Sequence, residues 1–169
     1  GQSVFTYMNV DQARMQGVEA ELSWRPLREL NLSAGYQLLD ARRRIERERR
    51  TQGPDGEVVT RTDVSMRPMF NRSLHSGTIK LFYEHDSGWG ANLRGVLRGR
   101  YALYDINGNN YAERNELEAG YTVWNLALMR ELSGNVTLQI GADNLFNYRN
   151  INQAWLAGRM WYLQASVRF

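Results

Sequence analysis

The sequence predicts an all-β fold, an antiparallel transmembrane β-barrel with about eight strands in these 169 residues. Three observations point there. Apolar and polar residues alternate with a period of two in segment after segment, the pattern of a strand with one greasy and one wet side. The connections between segments are alternately short and long. No stretch approaches the roughly 18 to 20 uninterrupted apolar residues of a membrane helix. Mean hydropathy is only -0.56, which suits a barrel because every outward apolar residue is diluted by an inward polar one.

The elements follow in order. Residues 3 to 9 read as the outer end of an eighth strand. Val18, Ala20, Leu22 and Trp24 share one face, with Glu19, Glu21 and Ser23 opposite. Arg25-Pro-Leu-Arg-Glu29 is a tight turn. Leu30, Leu32, Ala34, Tyr36 and Leu38 make the next apolar face, against Asn31, Ser33, Gly35 and Gln37. A long polar stretch covers about 41 to 73. Within it, 41 to 52 and 56 to 64 can extend two strands above the membrane through Gly53-Pro-Asp-Gly56, a good turn sequence.

Gly77, Ile79, Leu81 and Tyr83 come next, against Thr78, Lys80, Phe82 and Glu84. After the short turn His85-Asp-Ser-Gly-Trp-Gly90, an apolar face runs Leu93, Gly95, Leu97, Gly99, Tyr101, Leu103, against Asn92, Arg94, Val96, Arg98 and Arg100. A second long loop covers about 105 to 118. Trp124, Leu126 and Leu128 precede the short turn Glu131-Leu-Ser-Gly-Asn135, and Val136, Leu138, Ile140 and Ala142 follow it. A third long loop, about 146 to 157, leads to the last strand. There Trp161, Leu163, Ala165, Val167 and Phe169 oppose Met160, Tyr162, Gln164, Ser166 and Arg168.

Outer-membrane barrels join strands by short periplasmic turns and longer extracellular loops, so the final strand runs inward. Trp24, Trp89, Trp124 and Trp161 fall near strand ends, where an interfacial aromatic girdle belongs. A soluble β-sandwich or lipocalin-like barrel would also alternate, but it would not keep the short/long rhythm in phase through three hairpins. The chain has no cysteine, hence no disulfide framework and no thiolate metal site. Net charge is +3 and is carried on the cationic side almost wholly by Arg, which forks onto carboxylates and phosphates. The start at Gly1-Gln-Ser, without initiator Met or signal peptide, reads as internal to something longer.

Three motifs carry a family resemblance. Tyr7-Met-Asn-Val-Asp-Gln-Ala-Arg-Met-Gln-Gly-Val-Glu-Ala-Glu-Leu22 resembles the "N…A…GvE.E" strand of TonB-dependent outer-membrane receptors. Gly141-Ala-Asp-Asn-Leu-Phe-Asn-Tyr-Arg149 resembles their "v.NLFn..Y" segment, and Gly158-Arg-Met-Trp-Tyr-Leu-Gln-Ala-Ser-Val-Arg-Phe169 their "PGR.yy…..y.F" ending, with Ala157 where Pro is usual. The resemblance implies a 22-stranded barrel, of which this chain supplies about the last eight strands, closed by a plug domain that lies outside this chain. It also implies outer-membrane location in a Gram-negative bacterium. The partners implied are the rest of the barrel and plug, the TonB complex, outer-membrane lipid and lipopolysaccharide, and a small nutrient ligand. The implied activity is TonB-energised import of an iron chelate, haem or cobalamin, without covalent chemistry.

The polar segments hold the candidate sites. Arg42-Arg-Arg-Ile-Glu-Arg-Glu-Arg-Arg50 suits lipopolysaccharide phosphates or an anionic ligand, or else a solvated hairpin laced by its own Glu residues. Asp105, Asn107, Asn109, Tyr111 (carbonyl), Glu113 and Glu116 fall at the spacing of a calcium loop, although Asn110 stands where Gly is expected and no helices flank it. Arg94, Arg98 and Arg100 are expected to face the lumen, steering an anionic substrate or pairing with Glu19, Glu21, Glu84 or Asp143. His75 is expected beside them as a ligand-facing residue. No nucleophile–base set, phosphate loop or nucleic-acid motif is present, so no enzyme activity is expected. Two other readings remain: a small complete eight-stranded outer-membrane barrel with a structural or adhesive role, and a soluble sugar-binding β domain.

Overall fold

A computed structural model describes residues 12–52, 54–133 and 135–168. The strand expected at 3 to 9 and the first part of the N-terminal motif lie outside them. Seven strands form one antiparallel meander: β1 (Ala13–Leu27), β2 (Leu30–Gln52), β4 (His75–His85), β5 (Trp89–Arg98), β8 (Tyr121–Ser133), β9 (Val136–Asp143) and β10 (Met160–Val167). Among the described residues, strand β3 (Val58–Pro68) pairs only with the far half of β2. A two-residue ribbon, β6 (Tyr101–Ala102) with β7 (Leu117–Glu118), sits in the second long loop. Among the described residues β1 pairs only with β2 and β10 only with β9, so the sheet is open at both edges.

The register lines up the apolar stripe of each spanning strand on one face, although a few apolar residues such as Phe82 and Met129 lie on the other. One row across the sheet reads Leu22, Ala34, Ile79, Gly95, Trp124, and the next reads Trp24, Leu32, Leu81, Leu93, Leu126, Ala142, Trp161. A slip of one residue would reverse every side chain, so this agreement across six pairings fixes the design. The face is not a core. Leu138 is 37%, Ile140 52%, Leu163 78% and Val167 55% exposed. Exposed apolar surface on this scale marks a surface that contacts something other than water. The two-faced sheet is the wall of a transmembrane barrel, apolar toward lipid.

The aromatic residues bracket that band. Trp24, Tyr83 and Trp89 lie toward the short turns, with the Arg130 guanidinium 4.8 Å from the Trp89 ring. Tyr36 and Trp161 lie toward the long loops, and the Arg159 guanidinium stands 5.5 Å from the Trp161 ring. At the short-turn end Pro26 falls where the β1–β2 register shifts, as a residue without an amide proton should. Gly88 takes φ +83 and donates its amide to His85 O at 2.9 Å, closing the β4–β5 turn.

One element extends as expected and another departs from the expected pattern. Strand β2 is 23 residues long, about twice what a tilted strand needs to cross the hydrocarbon. Its far half and β3 form the hairpin that the Gly-Pro-Asp-Gly turn foretold. Strand β5, by contrast, stops at Arg98. Gly99 donates its amide to His75 O at 2.8 Å, and a Cβ there would sit 2.9 Å from that oxygen. The chain then folds into the loops, so Tyr101 and Leu103, expected on the lipid face, are 1% and 5% exposed inside the loop cluster.

Candidate functional site

The candidate site is the polar face of the sheet and the loop cluster at its long-loop end. The polar face bears Glu19, Gln37, Ser76 and Arg98 in one row and Ser23, Ser33, Lys80, Arg94 and Asn125 in another. Two clefts open on it. One, of 700 Å³, is lined by Glu19, Glu21, Gln37, Thr78 and Lys80 among others; one of 580 Å³ near the short turns is lined by Asn31, Phe82, Glu84, Met129 and Glu131 among others.

Lys80 and Arg94 are direct cross-strand partners. Like charges placed opposite one another cost stability, and among the described residues neither joins an ion pair. Lys80 is the residue that sequence reasoning missed; only the register places it against Arg94. Arg98 lies two rows nearer the long loops. It donates to Asn71 O at 2.9 Å and stacks 3.7 Å from the Tyr101 ring centroid. Arg100 is exposed beyond the end of β5. The expected pairing of these arginines with Glu19, Glu21, Glu84 or Asp143 is absent among the described residues. Glu19 instead accepts from Gln37, which accepts from Ser76 at 3.1 Å.

His75 is a correction. It pairs with Leu38 and shares the parity of Ile79, so it stands on the apolar face and not in the lumen. There the Tyr36 hydroxyl and His75 Nδ1 lie 2.7 Å apart, with the rings 6.1 Å apart and 27° from parallel. An aromatic pair with a polar tip fits a membrane interface.

The second long loop brings the calcium-spaced residues together in one hydrogen-bonded turn. Asp105 Oδ1 accepts the amides of Gly108 at 2.7 Å and Asn109 at 3.1 Å, and Oδ2 that of Asn110 at 2.7 Å. Asn107 donates to Glu113 Oε2 at 2.9 Å, and Asn109 Oδ1 accepts the Tyr111 amide at 3.0 Å. The buried Glu116 accepts the Ile106 amide at 2.8 Å and the Glu113 amide at 2.9 Å, holding the short 3-10 turn Arg114–Glu116. Asn110 does adopt φ 64, the left-handed geometry wanted at that position. Among the described residues, however, no three Asp, Glu, His or Cys side chains converge as ligands for an ion.

Loop packing supplies the remaining contacts. The Tyr111 ring sits between the guanidinium groups of Arg47 and Arg67, at 5.2 and 5.0 Å, and its hydroxyl accepts from Arg47 at 2.9 Å. The Arg-rich hairpin is therefore clasped to the second loop. Some of its other charges pair locally, Arg44 with Glu46 at 2.7 Å and Arg49 with Asp63 at 3.8 Å. Glu118 accepts from Asn150 at 3.2 Å and Asn152 at 2.7 Å, tying the third loop to the β6–β7 ribbon. Asn144, 5% exposed with φ 49, is the knot of that third loop. Its amide group donates to Tyr148 O at 2.8 Å and Ala157 O at 2.9 Å, and its Oδ1 accepts the Tyr148 amide at 2.8 Å. That network is the physical content of the Asn-Leu-Phe-Asn motif.

Comparison with known proteins agrees with this geometry. The siderophore receptor PiuA from Acinetobacter baumannii superposes with a TM-score of 0.59 at 19% identity, over 81% of this chain and 18% of that one. The closed form of the ferric-catecholate import receptor Fiu from E. coli K12 gives 0.50 at 14% identity, over 93% of this chain and 28% of that one. The chain thus spans less than a third of the solved structures it matches. No curated protein matches it. The family model described as TonB dependent receptor-like, beta-barrel matches residues 1–145, and with the two-faced meander and its knotted loops this places the chain in the TonB-dependent receptor β-barrel family.

Proposed function

We propose that the chain forms part of the wall of an outer-membrane receptor that binds and imports a scarce anionic nutrient, a ferric chelate foremost. The long loops and the Arg-rich hairpin face outward, and the plug and TonB complex complete the machine from the periplasmic side. Family membership supports uptake across the outer membrane. The observation that carries the anionic preference is the Lys80–Arg94 pair on the polar face. Two exposed cations side by side on the polar face favour a negatively charged partner, either the cargo or a carboxylate that yields to it.

The test is uptake by iron-starved cells. Deletion of the gene is expected to abolish accumulation of labelled iron from one ferric chelate, with haem and cobalamin as parallel arms. Loss of TonB is expected to have the same effect. Replacing Lys80 and Arg94 together by Gln is expected to lower uptake while surface receptor levels hold. Undiminished uptake in the deletion strain for all three cargo classes would sink the reading.

A further inference from the structure

The Arg-rich hairpin leaves one strand edge uncovered. Among the described residues β3 pairs only with β2, and no register shift interrupts that pairing from Arg42 opposite Pro68 to Gln52 opposite Val58. Met69 carries the same ladder on, donating its amide to Ala41 O at 3.1 Å. Antiparallel ladders alternate hydrogen-bonded and non-hydrogen-bonded pairs, so the odd-numbered residues of β3 bond to β2. The even-numbered ones turn their N–H and C=O groups to the open side. Pro68 shows this directly, since its carbonyl accepts the Ala112 amide of the second loop at 3.0 Å. Beyond that bond, the edge over residues 58–66 meets no other strand among the described residues.

That edge lacks the usual safeguards. Natural sheet edges are blunted by Pro, Lys, bulges or a covering element. Here Val58, Val59, Thr60, Thr62 and Val64 are β-branched and suit a strand, and residues 58–64 are exposed. The Tyr111 clasp grips Arg47 and Arg67 from one face of the hairpin and leaves the edge clear. The edge is also complementary to itself. Laid antiparallel against a second copy about a two-fold axis at Thr62, it sets Thr60 opposite Val64 and Val58 opposite Met66, all as hydrogen-bonded pairs. Arg61 then faces Asp63 of the second copy in a non-hydrogen-bonded pair, where side chains approach most closely. Glu57 faces Arg67 in the same way. Because even residues must meet even ones, the neighbouring symmetric registers centre on Arg61 or on Asp63. Each of those sets like charges against one another, which costs stability.

We infer that the β3 edge is a pairing surface for a second copy of this chain, joined over residues 58–66 with reciprocal Arg61–Asp63 contacts. Such an isologous contact closes as a dimer. Strand addition takes its affinity from main-chain hydrogen bonds and its selectivity from the side chains. A second copy fits better than a strand of uniform charge, because the edge carries one charge of each sign and both find their opposites in this register. Strand β3 continues the wall through β2, so an antiparallel course inverts the second molecule. The pair therefore joins receptors in facing membranes, not neighbours in one membrane, where many weak contacts add up. That last step rests on the outward placement of the long loops; the pairing itself does not.

The experiment uses the full receptor in mild detergent, followed by sedimentation across a concentration series. The wild type is expected to show a monomer–dimer equilibrium. Thr62→Pro removes an outward-facing amide and spares the ladder to β2, so dimerisation is expected to weaken by about tenfold or more. Arg61→Asp and Asp63→Arg each oppose like charges in a homodimer and are expected to stay monomeric. Mixed in equal amounts, they restore both opposite pairs and are expected to dimerise, which a merely structural role for either residue would not produce. A monomeric wild type overturns the proposal and leaves the edge to an extended segment of another protein. Undiminished association of Thr62→Pro overturns it too, as does a mixture no more associated than its components. The facing-membrane arrangement is read in cells. Bacteria carrying Arg61→Asp are expected to clump with those carrying Asp63→Arg and not with themselves. Labelling of Asp55→Cys on intact cells by a membrane-impermeant reagent reads orientation separately. Labelling without clumping sinks the facing-membrane arrangement, while an unlabelled tip sinks the outward placement on which it rests.

Discussion

Trp124 lies across Gly95. The two are direct cross-strand partners on the apolar face, and a Cβ at Gly95 would meet the indole at 2.8 Å. Tyr162 covers Gly141 in the same way on the opposite face. In each pair the bare backbone of one strand gives the ring of its neighbour a bed, so an aromatic residue restores the contact that glycine forgoes. Gly95→Ala is expected to lift the indole off the wall and cost about 1–3 kcal/mol, the usual range for overpacking. Gly95→Ala with Trp124→Leu should recover most of that loss. Urea unfolding of the full receptor in detergent, followed by tryptophan emission, measures both. Equal midpoints for wild type and Gly95→Ala would show that the ring has room to spare.

Asn144 is worth more than its place in a loop suggests. Its side chain closes three hydrogen bonds in a buried setting, and its own amide donates to Asn125 Oδ1 at 2.9 Å. Asn144→Ala leaves the Tyr148 and Ala157 carbonyls short of a donor and keeps a β-carbon at positive φ, for an expected loss of about 2–4 kcal/mol. Asn144→Gly loses the same bonds but relieves the backbone, and should be about 1 kcal/mol less damaging. Hydrogen exchange across residues 145 to 157 reads the difference. The two variants behaving alike would mean that the backbone conformation contributes nothing.

Much of the wall was legible in the sequence because the lipid imposes a strict period of two. Leu138, Ile140, Leu163 and Val167 stand where alternation put them. The hairpin tip at Gly-Pro-Asp-Gly was legible from turn chemistry. His75 lies near the loop end, which suggests a ligand, but counting in twos from Ile79 puts it on the outer face. Tyr101 and Leu103 failed for the opposite reason. The alternation runs on unbroken through Gly99, and nothing local reveals that the strand ends there to let the chain approach His75. The Lys80–Arg94 pair, the Tyr111 clasp and the role of Asn144 depend on register or long-range packing, which leaves no periodic trace in a single sequence.

The Tyr111 clasp should govern how tightly the Arg-rich hairpin is held. Tyr111→Phe removes the hydrogen bond from Arg47 but keeps the ring between two guanidinium groups, a loss of about 1 kcal/mol. Tyr111→Ala removes the ring as well, adding cation–π contacts of about 0.5–1 kcal/mol each and the packing of a buried aromatic. Trypsin cleavage within residues 42 to 67 of the receptor is expected to accelerate slightly for Phe and strongly for Ala. Identical cleavage rates would show that the hairpin is rigid without the clasp.

The second loop is organised by amides around Asp105, so its order should not require calcium. Exchange of the Gly108, Asn109 and Asn110 amides in the receptor is expected to be slow in the presence of a calcium chelator and unchanged by added calcium. Asp105→Ala should release all three, since one carboxylate serves them. Protection that develops in the wild type only when calcium is supplied would instead mean that an ion shapes the loop.

Tyr101 gives the loop cluster a limit at alkaline pH. Its hydroxyl is buried without a hydrogen-bond partner among the described residues. Burial pushes its pKa above the ordinary 10.0, against the opposing pull of the Arg98 guanidinium. The folded cluster therefore keeps this proton after an unfolded chain would have released it. The resulting stability is complete below the ordinary value and falls as pH rises from there toward the raised folded value. Tyr101→Phe removes both the titration and the unpaired hydroxyl while keeping the ring under Arg98. The variant is expected to match or slightly exceed the wild type at neutral pH, because a buried hydroxyl without a partner costs desolvation and returns nothing. Its loop cluster should also lose less protection between neutral pH and pH values above the ordinary tyrosine range, as hydrogen exchange over residues 101–104 and 148–156 would record. Parallel alkaline losses in the two proteins would assign the weakness to other groups.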